Sequence, residues 1–423
     1  MARQMKDSGV EWIGDIPQDW SVSATKYLFN IQSGSTPDSK KEEFWDGDIR
    51  WVTPADFKTD DVYVKQGRRN ISDLGFSSCS LQIIPTGSII FSKRAPVGSV
   101  VINNTDLSIN QGCLACMNKG QSDTKYYYYV MAIATEQYEL HSSGTTFKEI
   151  SAYTFSNFKL PHPPNDRQRV IADYIDAKAS LICKVVDQTR ATIEEYKKLK
   201  RAIITEAVTK GVRGARPMKP SGVEWIGDIP EEWEVRKVSQ FWKANKGPNA
   251  AQLTAEYCGN HPGAYPVYSG QTENNGVMGM IDTYSFDFGA RGCLFSTTVG
   301  AKAMTVSCLY NKFSLSQNCM IMQPLSEKCD VRYYFYLFAF IFGYFRSLIP
   351  DYMQPSFRVK DFLSYCMLLP SVIEQQEIAT YLDAKCAEID RIIEKKEQLI
   401  EELGSYKKSL IYEYVTGKKE VTA

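Results

Sequence analysis

The chain has 423 residues, a formal net charge of zero, and hydrophobic and charged fractions of 43% and 23%. This length accommodates two or three domains, each with its own core. Zero net charge excludes nucleic-acid binding through total charge, so any basic surface has to be local. Eleven cysteines without an apolar leader fit free thiols in a reducing compartment, and the expected location is the cytoplasm. The most apolar run, Tyr333 to Phe345, is too short to span a bilayer, so no membrane partner is expected.

In chain order, the first distinctive stretch is Ser8-Gly9-Val10-Glu11-Trp12-Ile13-Gly14-Asp15-Ile16-Pro17, closed by Trp20. It returns unchanged as Ser221-Gly222-Val223-Glu224-Trp225-Ile226-Gly227-Asp228-Ile229-Pro230, closed by Trp233. Two whole domains are therefore repeated, with a period far above that of a solenoid. Each box reads as core and turn, with Trp12 and Trp225 expected to be largely buried.

A mixed segment follows. Gly34-Ser35-Thr36-Pro37 reads as a turn, and Trp51-Val52-Thr53, Ser88 to Phe91 and Gly98 to Ile102 as strands. Lys125 to Ala132 opens a helix. From Arg167 to Lys210 neither proline nor glycine occurs, and an apolar stripe predicts one helix of about 66 Å. Its seam is Ile171, Ile175, Ile182, Val185, Tyr196 and Ile203. The stripe recurs from Glu374 to Thr416 through Ile378, Leu382, Ile389, Ile392, Leu399, Leu403 and Leu410.

The expected fold is α+β. Two similar mixed domains, 1–163 and 221–370, alternate with helices at 164–211 and 371–416, a linker at 212–220 and a frayed tail at 417–423. Tyr174 to Lys178 matches Tyr381 to Lys385, and Glu206, Val208 and Thr209 match Glu413, Val415 and Thr416 at the same offset, so the two helices have equal length. Residues 167–210 carry ten basic and six acidic side chains, and 374–416 carry six and ten. Opposite charge beside apolar seams predicts an antiparallel coiled-coil pair and a pseudo-two-fold repeat.

Catalytic signatures are missing. There is no Asn/Asp-Pro-Pro-Tyr/Phe box and no phosphate-binding Gly-rich loop. Cys113 and Cys116 are three apart in a strand-like run and should face opposite sides, so they do not read as metal ligands. Asp38, Asp56 and Lys58 fit a loose nuclease pattern and keep a self-contained, metal-dependent nuclease as one alternative. An assembly scaffold without DNA contact is another.

Two divergent domains on two equal helices fit a recognition device for a ruler-like ligand, and duplex DNA is the natural one. Such a device needs local cations for phosphates and amides or guanidiniums for base edges. Candidates are Lys65, Arg68, Arg69, Lys93 and Arg94 in the first domain, the last two expected to be exposed beside a turn. In the second domain they are Gln271, Asn274, Asn275, Arg291, Lys302 and Arg358, with Thr297-Thr298 in the place of Lys93-Arg94. The tyrosine-rich stretches read as core.

The whole chain resembles the specificity (S) subunit of type I restriction–modification systems. Three features carry the resemblance. They are the duplicated Trp box, the Ser33 to Pro37 turn, and a helix junction with Pro163, Pro164, Gln168, Ile171 and Ala172 that recurs as Pro370, Gln375, Ile378 and Ala379. The resemblance implies two target recognition domains, each reading half of a split double-stranded DNA target. It implies a helical spacer that docks two methylation (M) subunits, with restriction (R) subunits in the full complex. No cofactor is expected in this chain; S-adenosylmethionine, ATP and Mg would sit on the partner subunits.

Overall fold

The computed structural model describes residues 3–421 except 59–60, 95, 121, 145–147, 272–273, 301–302 and 351. The chain divides into two compact units, Met1–Thr189 with Gln398–Ala423, and Arg190–Glu397. Each unit holds one mixed domain and a part of both long helices.

The repeated box is a β-hairpin. Met5–Asp7 pairs antiparallel with Asp15–Pro17, and Met218–Pro220 with Asp228–Pro230. Gly9 and Gly14 turn at φ 68° and 65°, and Gly222 and Gly227 both at 75°, a region that costs other residues energy. Ser8 Oγ accepts from Val10 N, and Ser221 Oγ from Val223 N, at 3.1 Å in both copies. The identity of the two boxes is thus the identity of one turn.

Two expectations are corrected here. Trp12 and Trp225 are half-buried and stack on the rim of the core, on Phe158 and Tyr344, with ring centroids 5.8 and 5.0 Å apart. The closing Trp20 and Trp233 are the buried pair, each 1% exposed. The segment expected as a linker to residue 220 already enters the second hairpin at Met218.

In the first domain a five-stranded sheet runs Phe29–Ser33, Cys113–Asn118, Ile89–Ser92, Val100–Asn103, Tyr63–Val64 in spatial order. Burial of every residue from Ile89 to Ser92 and from Val100 to Asn103 explains the unbroken apolar runs Ile89–Phe91 and Val100–Ile102. The second domain keeps the frame with Trp242–Asn245, Cys319–Pro324, Cys293–Thr297 and Ser307–Leu309. The halves diverge in the attached lobes. The first carries three strands around Trp45–Val52, and the second carries four around Pro262–Tyr268.

The tyrosine runs are core. Tyr126, Tyr127, Tyr333 and Tyr334 are all 0% exposed, on the helices Thr124–Ile133 and Val331–Ser347. Each fully buried ring of this kind contributes roughly 1.5–3 kcal/mol of burial.

The long helices are Asn165–Lys210 and Val372–Val415, of 46 and 44 residues, or about 69 and 66 Å. Within the first unit Tyr174 packs on Tyr414 and Cys183 accepts from Lys407; within the second Lys200 meets Asp390 and Arg213 meets Glu377. Rising numbers on one helix meet falling numbers on the other, so the pair is antiparallel in both units.

The seam differs from the expected one at two places. Val185 and Leu399 are exposed, at 43% and 40%, and the neighbouring Val186 and Ile400 turn inward instead. A nearly straight α-helix drifts against a strict heptad count, so the inward position slips by one residue. Ile171, Ile175, Ile182, Ile378, Leu382, Ile389 and Leu410 are buried, and Tyr196, Ile203, Ile392 and Leu403 are half-buried.

The junction glutamines have a physical role. Gln168 Oε1 accepts from the backbone N–H of Asp123 at 2.8 Å, and its Nε2 donates to Pro163 O at 2.9 Å. Gln375 does the same with Asp330 and Pro370, at 2.8 and 2.9 Å. Asp123 and Asp330 cap the tyrosine helices, so each glutamine ties the start of a long helix to the start of a domain helix. About two turns on, Asp176 accepts from Lys125 and Tyr129, and Asp383 from Arg332 and Tyr336.

The tail expected to fray is held as far as Glu420. Gly417 lies against Pro17 and Trp20, Lys418 Nζ donates to Ile13 O at 2.9 Å, and Arg167 pairs with Glu420 at 3.6 Å.

Candidate nucleic-acid interface

The candidate cations of the first domain mostly meet carboxylates of their own domain. Arg69 pairs with Asp46 at 3.2 Å and lies over the Trp45 ring, 4.4 Å from its centroid. Arg68 approaches Asp56 at 3.7 Å and donates to Ala55 O. Lys65 is exposed.

Lys93 and Arg94 were expected to be exposed; Arg94 is, and Lys93 is not. Glu149 holds both, with Lys93 Nζ at 3.0 Å and Arg94 Nε at 2.8 Å, and the Lys93 side chain is only 15% exposed. No periodicity signals a partner 55 positions away.

In the second domain Gln271 lies beside the turn Asn274–Gly276. Gln271 Nε2 donates to Val277 O at 2.5 Å, which uses part of its amide to close the turn. Asn274, Asn275 and Gly276 stand at φ 48°, 53° and 82°, and both asparagines are exposed. Asparagine tolerates this left-handed region better than most residues. Arg291 donates to Ser326 O at 3.2 Å, and Arg358 is an exposed residue at the start of the helix Val359–Ser364. Lys302 lies outside the described residues.

The pairing register also moves one correspondence. Ser92 opposes Cys113, and Thr297 opposes Cys319. Arg94 bridges Glu149, and Val299 bridges Ser356. Ile150 N donates to Lys93 O at 3.0 Å, and Phe357 N to Thr298 O at 2.7 Å. The place of Lys93-Arg94 is therefore held by Thr298-Val299, one residue beyond the match that sequence similarity suggests. Sequence reading missed the returning segments that bring Glu149 and Ser356 to these edges. Their signal was the constant offset between the tyrosine helices, carried on past them.

Asp56 is a structural cap. Its Oδ2 accepts from the backbone N–H and the hydroxyl of Thr53, both at 2.8 Å, and its Oδ1 from Arg68 N at 3.1 Å. Cys113 and Cys116 enter separate clusters on the two faces of the sheet. Among the described residues no group of three or more His, Cys, Asp or Glu could hold a metal ion, and no helix is long and apolar enough to cross a membrane.

With this geometry established, comparison with known proteins gives a consistent picture. A family pattern described as "type I restriction modification DNA specificity domain" matches residues 17–195 and 230–402, one match per half. The chain belongs to that family.

Among curated members, the MjaIX specificity subunit of Methanocaldococcus jannaschii is 32% identical over 251 residues. That match covers 57% of this chain and 55% of the relative, so the chain spans about half the length of that relative. The MjaVIII specificity subunit of the same organism is 23% identical over 96% of this chain and 94% of its own. Among solved structures, a chain from a type I restriction–modification system superposes with a TM-score of 0.75 at 13% identity, covering 96% of this chain and 99% of its own. The HsdS subunit of Thermoanaerobacter tengcongensis gives 0.54 at 13% identity, covering 96% and 98%. At that identity these likenesses speak for the fold, and family membership rests on the sequence matches.

Proposed function

We propose that this family member reads a bipartite DNA duplex, one half-site per domain, while the antiparallel helices set the interval and dock two methylation subunits. The observation that carries the reading is a repeated frame with unlike edges. The bridge at Lys93-Arg94 and Glu149 recurs at Thr298-Val299 and Ser356 with every charge gone. One scaffold with two different ligand-facing chemistries is what two different half-sites require.

In this reading the chain is non-catalytic and works in the cytoplasm. S-adenosylmethionine is held by the methylation subunits, and ATP and Mg by restriction subunits. The capping role of Asp56 leaves the self-contained nuclease without a base of support.

The test uses the chain reconstituted with its methylation subunit. Sequencing of methylated adenine in cellular DNA defines both half-sites, and binding is then measured on that duplex. The expected result is tight binding that is lost when three base pairs are inserted between the half-sites. Unchanged binding on the lengthened duplex would refute the spacer role, and equal binding to a scrambled duplex would refute recognition altogether.

A further inference from the structure

One cluster in the first domain does more than the fold asks of it. Lys93 and Arg94 leave the end of strand Ile89–Ser92, and Glu149 comes from the segment between helices Thr135–Leu140 and Ala152–Asn157. The two carboxylate oxygens are divided between the two cations, Oε1 with Lys93 Nζ at 3.0 Å and Oε2 with Arg94 Nε at 2.8 Å.

The backbone beneath needs none of this. In the second domain Val299 and Ser356 make the same antiparallel bridge, and Phe357 N makes the same hydrogen bond to Thr298 O, without a charge at any of the three places. The three charges are present together in one half and absent together in the other. They therefore serve something other than holding the bridge.

A carboxylate shared by two adjacent cations presents one negative charge on two acceptor oxygens, as a nucleic-acid phosphate held by the same pair would, and both anions take charge-assisted bonds from the same donors. The site stays open to solvent on one side, with Arg94 46% and Glu149 36% exposed. We propose that Glu149 stands in for a backbone phosphate of duplex DNA, occupying the phosphate seat of Lys93 and Arg94 until a bound duplex displaces it. This rests on the DNA reading above and deepens it.

The consequence concerns specificity. An unoccupied Lys-Arg pair would attract any duplex through counterion release, which carries no sequence information. With Glu149 in the seat, a duplex gains that phosphate contact only by displacing the carboxylate, so sequence-independent binding is penalised while base contacts are unaffected. The device acts on the first half-site alone, because Thr298, Val299 and Ser356 hold the equivalent places in the second domain without charge.

The test uses the full chain with its methylation subunits and a mixed-sequence 30-base-pair duplex lacking the target, titrated at several KCl concentrations. Glu149→Gln, and Glu149→Ser as the residue the second domain tolerates at that place, are each compared with wild type. The expected result is about tenfold tighter binding at low salt and a log–log salt slope steeper by about one to two. Adding Lys93→Ala and Arg94→Ala to either variant should erase the gain. If both variants keep intact thermal transitions but bind with wild-type affinity and slope, or more weakly, the phosphate-mimic role is wrong while the DNA reading stands. If wild-type complex and variants alike bind no duplex, target-bearing or not, both fall together.

Discussion

The hydroxyl of Tyr126 donates a 2.7 Å hydrogen bond to the carbonyl oxygen of Val415, which ties the first domain's tyrosine helix to the C-terminal end of the second long helix. The second unit repeats it between Tyr333 and Val208 at 3.3 Å. The terminal carbonyls of a helix have no partner within it, so these phenols cap helix ends inside the core. Tyr126→Phe should cost about 1–3 kcal/mol, because the carbonyl stays buried without a donor. Tyr333→Phe should cost less, since its bond is longer. Urea unfolding of the two variants measures both, and equal small losses would argue against capping.

Among the described residues, the buried ion pair of the second unit has no equal in the first. Glu374 is 1% exposed, accepts from Trp233 Nε1 at 3.0 Å, and pairs with Arg216, whose side chain is 10% exposed. The counterpart of Arg216 is Arg3, which meets Asp19 at 3.3 Å with the carboxylate 56% exposed. Breaking a buried pair leaves an uncompensated charge, so Arg216→Met should cost about 3–5 kcal/mol. Arg3→Met should cost under about 1 kcal/mol. Chemical denaturation of both variants is the comparison to make.

Two glycines should respond in opposite directions to alanine. Gly417 stands at φ +74°, and a Cβ there would lie 2.5 Å from Pro17 Cδ. Gly417→Ala should therefore destabilise by more than about 1 kcal/mol and loosen the first hairpin, read as faster proteolysis near Pro17. Gly404 lies within the second long helix with open space around its Cα. Gly404→Ala should stabilise by about 0.5–1 kcal/mol.

His162 provides a pH signature. Its Nδ1 lies 2.6 Å from the Tyr127 hydroxyl, and burial lowers its pKa below the usual 6.5. The unfolded chain then takes up a proton at a higher pH than the folded one. Stability from this site is present above about pH 6.5 and is lost as pH falls toward the lowered folded value. His162→Gln should flatten the profile between pH 5 and 7 in thermal unfolding, and an unaltered slope would exclude His162 as its source.

Asp56 separates a cap from a catalyst. Asp56→Ala should lower stability by about 1 kcal/mol through loss of the Thr53 cap. Metal-dependent cleavage by the isolated chain that disappears in this variant would instead revive the nuclease reading.

The sequence by itself determined the doubling, the two long helices and their antiparallel pairing. A duplicated turn, a stripe without proline or glycine and opposite helix charge are local properties, readable from spacing alone. It also placed the tyrosines in the core and Cys113 and Cys116 on opposite faces. Tertiary structure decided which residue of each apolar pair turns inward, Val186 over Val185 and Ile400 over Leu399, because helix drift accumulates over many turns. It decided that the tail docks on Pro17 and Trp20, and that Arg216 finds Glu374 far along the chain. It decided as well that Lys93 and Arg94 are already occupied. A side chain's type and spacing are written in the sequence, but its counter-charge is chosen by whichever distant segment the fold brings within 3 Å, here Glu149.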